Sequence, residues 1–245
     1  MRKNASLSLC LFVKICQFTL SIPRTNFQNS HIINQQLFPE RVFFLIDTSC
    51  YIRFFHAASD TETLQVSVGT SVSVPELVYR TVTDYMPAGF GFLTITLSGT
   101  RTKRVYLQKT LPFFLPIRYT IAVIQTVNGL DLRQMYDYDC LLSGENAGCI
   151  RAANLAYGSG GIDFFLYGSK LMFADVGFKE VTPFKPLRPG EYGFYLTPGQ
   201  DEENPLLSVL TEIEAGTMYT MCVLNSAWSP EAVDVMILSY GASPD

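Results

Sequence analysis

Histidine is nearly missing from this chain: two of its 245 residues are His, at His31 and His56. His31 falls in a polar stretch without periodicity, so a Ser-His-Asp triad would have to use His56 with Ser59 and Asp60 beside it. No G-x-S-x-G elbow lifts a serine out of a turn. Catalytic residues are therefore not expected. Cysteine occurs six times, at positions 10, 16, 50, 140, 149 and 222, but never with the C-x-x-C spacing of a zinc or thioredoxin-like site. Neither a metal site nor a cofactor is expected. Charge is also scarce, at 16% of residues and a net −4, which leaves no basic field for neutralising phosphates and sets nucleic acid aside as a partner. The longest basic cluster, "RTKR" (Arg101 to Arg104), suits a solvated turn. Beyond the amino-terminal region no run of ~18 apolar residues occurs, so the body of the chain is not expected to span a membrane.

Acidic pairs are few. Asp137 and Asp139 lie in "MYDYDC" and Glu202 and Glu203 in "GQDEENP", and neither stretch has the spaced ladder of a calcium loop. Both are taken as solvated. "GSGG" (Gly158 to Gly161) opens no helix and reads as a turn rather than a phosphate cradle.

What the chain has is apolar content, 48%, enough for a folded protein. The first residues, "MRKNASLSLCLFVKICQFTLSIPR", have the basic start and apolar run of a secretory signal, but Lys14 interrupts the run and no A-x-A-like site follows. Residues 1–45 are expected to be a leader or a disordered N-terminal segment outside the fold. The remainder repeats itself. "SCYIRFFHAASDTETLQVSV" (Ser49 to Val68) is answered by "GCIRAANLAYGSGGIDFFL" (Gly148 to Leu166), with Ile52-Arg53 matching Ile150-Arg151 and Leu64, Val66 and Val68 matching Ile162, Phe164 and Leu166. Later, "VTDYMPAGFGF" answers "VTPFKPLRPGEYGF", "LPIRYTIAVI" answers "AGTMYTMCVL", and Leu130 to Leu132 answer Val233 to Val235. Two copies of one domain are expected, residues 46–140 and 141–245.

Each copy is a series of short Val-, Ile-, Phe-, Tyr- and Thr-rich runs between Gly, Pro, Asn, Asp and Ser clusters. This pattern predicts an all-β fold of two tandem immunoglobulin-like antiparallel β-sandwiches with about seven strands each. "LTITL" alternates so as to bury Leu93, Ile95 and Leu97 and expose Thr94 and Thr96. "PAG" and "RPG" are expected to turn a hairpin at the same place in both copies. Cys140 and Cys149 bracket a link short enough for a disulfide to close, with six reduced thiols as the alternative; Cys50 and Cys222 read as small apolar strand residues.

Taken together, "YIRFFHAASDTETLQVSVG", "YMPAGFGFLTITLSG" and "YTIAVI" resemble the bacterial domain-of-unknown-function family 4397, over nearly everything from Tyr51 to Ser239 and in tandem. The resemblance implies an exported, cell-envelope or spore-associated setting, and it transfers no catalytic residues. The second copy departs from the first at Asn154 for His56, and at Tyr157-Gly158 for Ser59-Asp60. A tether explains both copies where a catalyst explains one: His56 and Asn154 are expected to tie down the loops that follow them.

Aromatics, 13% of the chain, are the remaining candidates for function. Tyr106, Phe113 and Phe114 in the first copy, and Tyr192 and Tyr195 in the second, are the available platforms, although most aromatics in a sandwich fill its core. In "LPFFLP" the two prolines are expected to bar a central strand and leave Phe113 and Phe114 on a loop. The expected function is a non-catalytic envelope, surface or spore module with a structural, adhesive or scaffolding role. A module binding glycan or cell-wall polymer through exposed aromatics is the alternative, with wall polymer or other surface proteins as partners.

Overall fold

The computed structural model describes residues 50–140, 146–168, 170–199, 205–228 and 232–241. Among them there is no helix; the chain forms two β-sandwiches of eight strands each, one more than the expected seven. In the first repeat these are β1 (Cys50–His56), β2 (Leu64–Val68), β3 (Val72–Leu77), β4 (Met86–Ala88), β5 (Gly91–Gly99), β6 (Val105–Phe113), β7 (Arg118–Thr126) and β8 (Gly129–Asp137). The second repeat has β9 (Gly148–Asn154), β10 (Ile162–Leu166), β11 (Lys170–Val176), β12 (Lys185–Leu187), β13 (Gly190–Pro198), β14 (Leu207–Ile213), β15 (Thr217–Asn225) and β16 (Val233–Gly241).

Each repeat builds an inner sheet, β4-β1-β7-β8 or β12-β9-β15-β16, and an outer sheet, β3-β2-β5-β6 or β11-β10-β13-β14. Within the inner sheets β1 runs parallel to β7 and β9 parallel to β15; the other pairs are antiparallel. Alternation places Leu64, Val66, Val68, Ile95 and Leu97 of the first outer sheet against Ile52, Phe54, Ile121 and Val123 of the first inner sheet. The second repeat uses Ile162, Phe164, Phe194 and Leu196 against Ile150, Ala152, Met221 and Val223.

The shared Tyr-Thr pair has two separate duties. The Tyr119 hydroxyl binds the main chain of Leu115 at 3.2 Å, and the Tyr219 hydroxyl accepts from the Glu214 N–H at 3.0 Å. Both are tyrosine corners, a hallmark of immunoglobulin-like sandwiches. The adjacent threonines point out of the sandwich, toward the other repeat.

Two local expectations need correction. "PAG" and "RPG" turn no hairpin, because β4 lies in the inner sheet and β5 in the outer, and β12 and β13 divide the same way. The Pro-Gly segments are corners at which the chain changes sheet, and Gly91 (φ 114°) and Gly190 (φ 148°) take backbone angles there that a side chain resists. "LPFFLP" is not wholly a loop, since β6 runs through Pro112 to Phe113. Proline is tolerated because β6 is an edge strand, where a missing N–H breaks no ladder.

The inner sheets pack face to face. Phe55, Ala57, Ala122, Ile124 and Met135 of the first repeat form one buried cluster with Ala153, Leu155, Cys222, Leu224 and Leu238 of the second. β1 and β9 are thus buried on both faces, and each large apolar side chain in this seam contributes about 1.5–3 kcal/mol relative to exposure.

Candidate functional site

Polar chemistry concentrates in and around the seam. Arg53 and Arg151 occupy equivalent positions on β1 and β9, and both are buried. Each guanidinium is seated by the threonine of its own Tyr-Thr pair: Arg53 Nε donates to Thr120 Oγ1 at 2.8 Å, and Arg151 Nε to Thr220 Oγ1 at 2.9 Å. Each then crosses the seam. Arg53 donates to the Ser239 carbonyl at 3.2 Å, and Arg151 to the Tyr136 carbonyl at 2.6 Å. Ser239 and Tyr136 are themselves equivalent, so the contacts are reciprocal and the repeats are related by a pseudo-twofold axis.

The symmetry breaks within the charged cluster itself. Asp137 has Tyr240 as its counterpart, so two buried arginines share a single carboxylate. Arg151 reaches Asp137 Oδ1 at 2.6 Å, and Arg53 Nε lies 3.9 Å from Oδ2. Tyr85 donates to Oδ2 at 2.8 Å, and so does Thr120. Aromatic faces take the excess positive charge: Arg53 lies over Tyr85 (4.6 Å) and Arg151 over Phe184 (4.5 Å). Arg118 lies over Tyr240 (4.8 Å) and pairs with Asp139 at 3.1 Å. Burial first, and the Asp137 charge second, push the Tyr85 and Tyr240 phenols above their usual range, so both stay protonated as donors. Burial also drives the Cys222 thiol up to about 12, against the pull of the two arginines, and leaves it inert.

The rim repeats this reciprocity. Arg80 pairs with Asp234 at 3.1 Å, and its counterpart Lys179 with Asp131 at 2.7 Å. Both basic residues hold left-handed backbone angles (φ 65° and 68°), and in each the N–H donates to the carbonyl of His56 or Asn154. Burial raises the Asp131 carboxyl, but the ammoniums of Lys109 and Lys179 outweigh it and hold the group at about 2.

His56 and Asn154, fully buried at the ends of β1 and β9, close the loops after them. His56 Nδ1 accepts from the Ala58 N–H at 3.3 Å, which leaves Nε2 to carry the proton toward the Thr61 hydroxyl at 3.3 Å. Asn154 Oδ1 accepts from the Ala156 N–H at 3.1 Å, while Nδ2 donates to the Gly160 and Val176 carbonyls. Burial holds the His56 imidazole down at about 4, a main-chain contact at Glu62 opposing it. With both nitrogens engaged and the ring neutral, His56 has no free proton acceptor to offer a nucleophile.

Beside these loops the two repeats enclose a cleft of about 400 Å³, lined by Ser59, Asp60, Gln125, Tyr157, Asn225 and neighbouring residues. Asn225 grips Tyr157 twice, Oδ1 accepting from its N–H at 2.8 Å and Nδ2 donating to its carbonyl at 2.9 Å.

The other residues singled out in the sequence lie apart. Phe113 is a core residue, fully buried against Tyr119, so it offers no surface to a ligand. Phe114 is 49% exposed and forms an edge-to-face cluster with Phe90 and Phe92. The Tyr192 hydroxyl donates to the Arg188 carbonyl and its ring packs on the second core. Tyr195 stacks on Phe165, and Tyr106 donates to Glu62. Cys140 and Cys149 are joined by a disulfide, while Cys50 and Cys222 are free and buried. Asp137 ends β8 inside the seam rather than standing in a solvated linker, because two arginines demand a counter-charge there. Glu202 and Glu203 lie outside the described residues. Among the described residues no group of three or more His, Cys, Asp or Glu is placed to hold a metal ion, and no helix is long and apolar enough to cross a membrane. Arg53 and Arg151 were the functional signal missed by sequence reasoning, although both stood in the repeated phrase.

The family described as a domain of unknown function (DUF4397) matches this chain over residues 50–165 and again over 148–239. No curated protein matches it. Among solved structures it is similar to a family 26 carbohydrate-binding module of Eubacterium rectale Amy13K in complex with maltoheptaose, at 9% identity over 80% of this chain and 98% of that one, with a TM-score of 0.24. It is also similar to a streptococcal virulence factor solved for its alpha-glucan binding, at 9% identity over 75% and 95%, with a TM-score of 0.26.

Proposed function

The chain belongs to the DUF4397 family, twice over, and from that premise we propose that it is a non-catalytic, rigid two-module block of the bacterial cell envelope or surface, with an adhesive or scaffolding role. The observation that carries the proposal is the seam. Arg53, Arg151 and Asp137 are committed to one another on the pseudo-twofold axis, and the sole histidine of the described residues is a neutral loop tether. A welded pair with opposed outer sheets suits bridging rather than turnover. Co-sedimentation of the purified chain with envelope fragments of its own cells, combined with fractionation of the native protein, tests this. Recovery with envelope in both is expected; a native protein confined to the cytosol, with no retention on envelope, would sink the proposal.

A second reading, recognition of glycan or wall polymer, draws support from the outer sheets. Ladder registers align Ser67, Thr96, Thr110 and Ser73 of the first outer face with Phe165, Tyr195, Leu210 and Leu171 of the second. The second face is an apolar, aromatic version of a Ser/Thr surface, with Tyr167 stacked on Tyr195 and Leu210 76% exposed. Co-precipitation with insoluble polysaccharides, lost in a Tyr167→Ala Leu210→Ala double variant, is the expected result.

A further inference from the structure

We propose that the cleft on the pseudo-twofold axis is a site for one neutral sugar ring, separate from the outer sheet face. The inference shares the glycan chemistry of the second reading above, but it rests on different residues.

The cleft exists only because the repeats are docked, and it is lined where they differ. Tyr157 stands in place of Ser59, Gly158 in place of Asp60, and Asn225 in place of Gln125, so among the described lining residues a cavity on the axis has one aromatic wall and one carboxylate rather than two of either. Its volume of about 400 Å³ falls within the ~300–1,000 Å³ range of small-molecule pockets.

The lining selects the chemistry. Among the described lining residues none is Lys or Arg, which disfavours phosphate or carboxylate ligands, and Asp60 is the one carboxylate, a poor cage for a bare cation. What remains is a carboxylate, amides and hydroxyls around one aromatic ring. The Asp60 oxygens can accept from vicinal hydroxyls, and the ring offers an apolar face to the C–H side of a pyranose.

Two further observations point to a ligand. Gln125 lines the cleft with its Oε1 buried and without a hydrogen-bond partner, an acceptor that a ligand hydroxyl would satisfy. Tyr157 is also preorganised: Asn225 fixes its backbone in both directions and Phe178 packs edge-to-face against its ring at 5.7 Å, yet Tyr157 remains 42% exposed. A rigid aromatic loses little entropy when a ring stacks on it.

The test is titration of the full chain by saturation-transfer NMR and calorimetry with glucose, mannose, galactose and N-acetylglucosamine, with glucose 6-phosphate as the anionic comparison. At least one neutral sugar is expected to bind. Tyr157→Ser and Gln125→Met are each expected to weaken it by about tenfold, Gln125→Met at an unchanged melting temperature, while Leu210→Ala leaves it alone. Failure of every neutral sugar to bind overturns the inference, as does preference for the phosphate. Binding kept in both cleft variants but lost in Leu210→Ala overturns it too, while leaving the glycan reading intact; polymer co-precipitation judges that reading separately.

Discussion

Arg53 stands in a strand that reads Ile-Arg-Phe-Phe, apolar on both faces, and Arg151 recurs in the same frame. A charged residue inside such a run is buried with a partner or the strand does not form. That signal was legible in the sequence, and the repeat doubled it. The partner was not, because Asp137 looks like an ordinary linker aspartate until β8 is laid across the axis from Arg151. Removing it strands two guanidiniums in the seam. Asp137→Ala is expected to cost about 3–5 kcal/mol, or roughly 10 °C in melting temperature for a body of this size. Replacing Arg53, Arg151 and Asp137 together with Met, Met and Leu should recover most of that loss. A single Asp137→Ala variant melting with the wild type would show that the cluster is idle. His56 supports a second measurement at this scale. Its folded value of about 4 lies below the 6.5 of an ordinary imidazole. As pH falls from 6.5 to 4 the unfolded chain takes up a proton that the folded chain does not, so stability is lost through that window, by up to about 3 kcal/mol at the acid end. His56→Asn, which copies the residue of the second repeat, should flatten this part of the stability–pH curve, and an unchanged slope would contradict the buried-tether account.

Strands were easier to read than their connections. Period-two alternation placed Leu93, Ile95 and Leu97 inside; the structure buries Ile95 and Leu97 completely and packs a half-buried Leu93 against the same core. Where Pro and Gly fall together, local chemistry says that the chain bends but not whether the next strand pairs with the last, since sheet membership depends on distant ladders. The same limit explains Phe113. A proline on each side suggested a loop, yet an edge strand accommodates Pro112 with no lost bond, and the Gln134 side-chain amide donates to its carbonyl at 2.8 Å. The two neighbouring phenylalanines should therefore behave differently. Phe113→Ala is expected to cost about 3–5 kcal/mol, and Phe114→Ser to stay within about 0.5 kcal/mol of wild type. Denaturant unfolding of the pair would expose an error if both proved neutral. Between the repeats, the Cys140–Cys149 link spans nine positions, and opening so short a loop should lower stability by about 2–3 kcal/mol in the chain-entropy account.

Over the whole molecule, duplication was plain in the sequence and docking was not, because the two-sided apolar runs of β1 and β9 mark a second buried face but not what covers it. With Phe55, Ile124, Leu155 and Leu224 shared between the repeats, neither sandwich can open without baring the other. Scanning calorimetry should give one transition over the described body, with calorimetric and van't Hoff enthalpies in agreement. Two resolved transitions would mean that the seam is a loose contact. The broken symmetry at Asp137 and Tyr240 has a consequence of its own. Two identical subunits meeting on a twofold axis must present the same residue from both sides, so a shared aspartate would come as a pair and a shared tyrosine likewise. Joining the halves in one chain lifts that constraint, and a single gene can then evolve a lopsided centre, with one acid among two bases and one aromatic wall in a cleft, that no homodimer of this domain could encode.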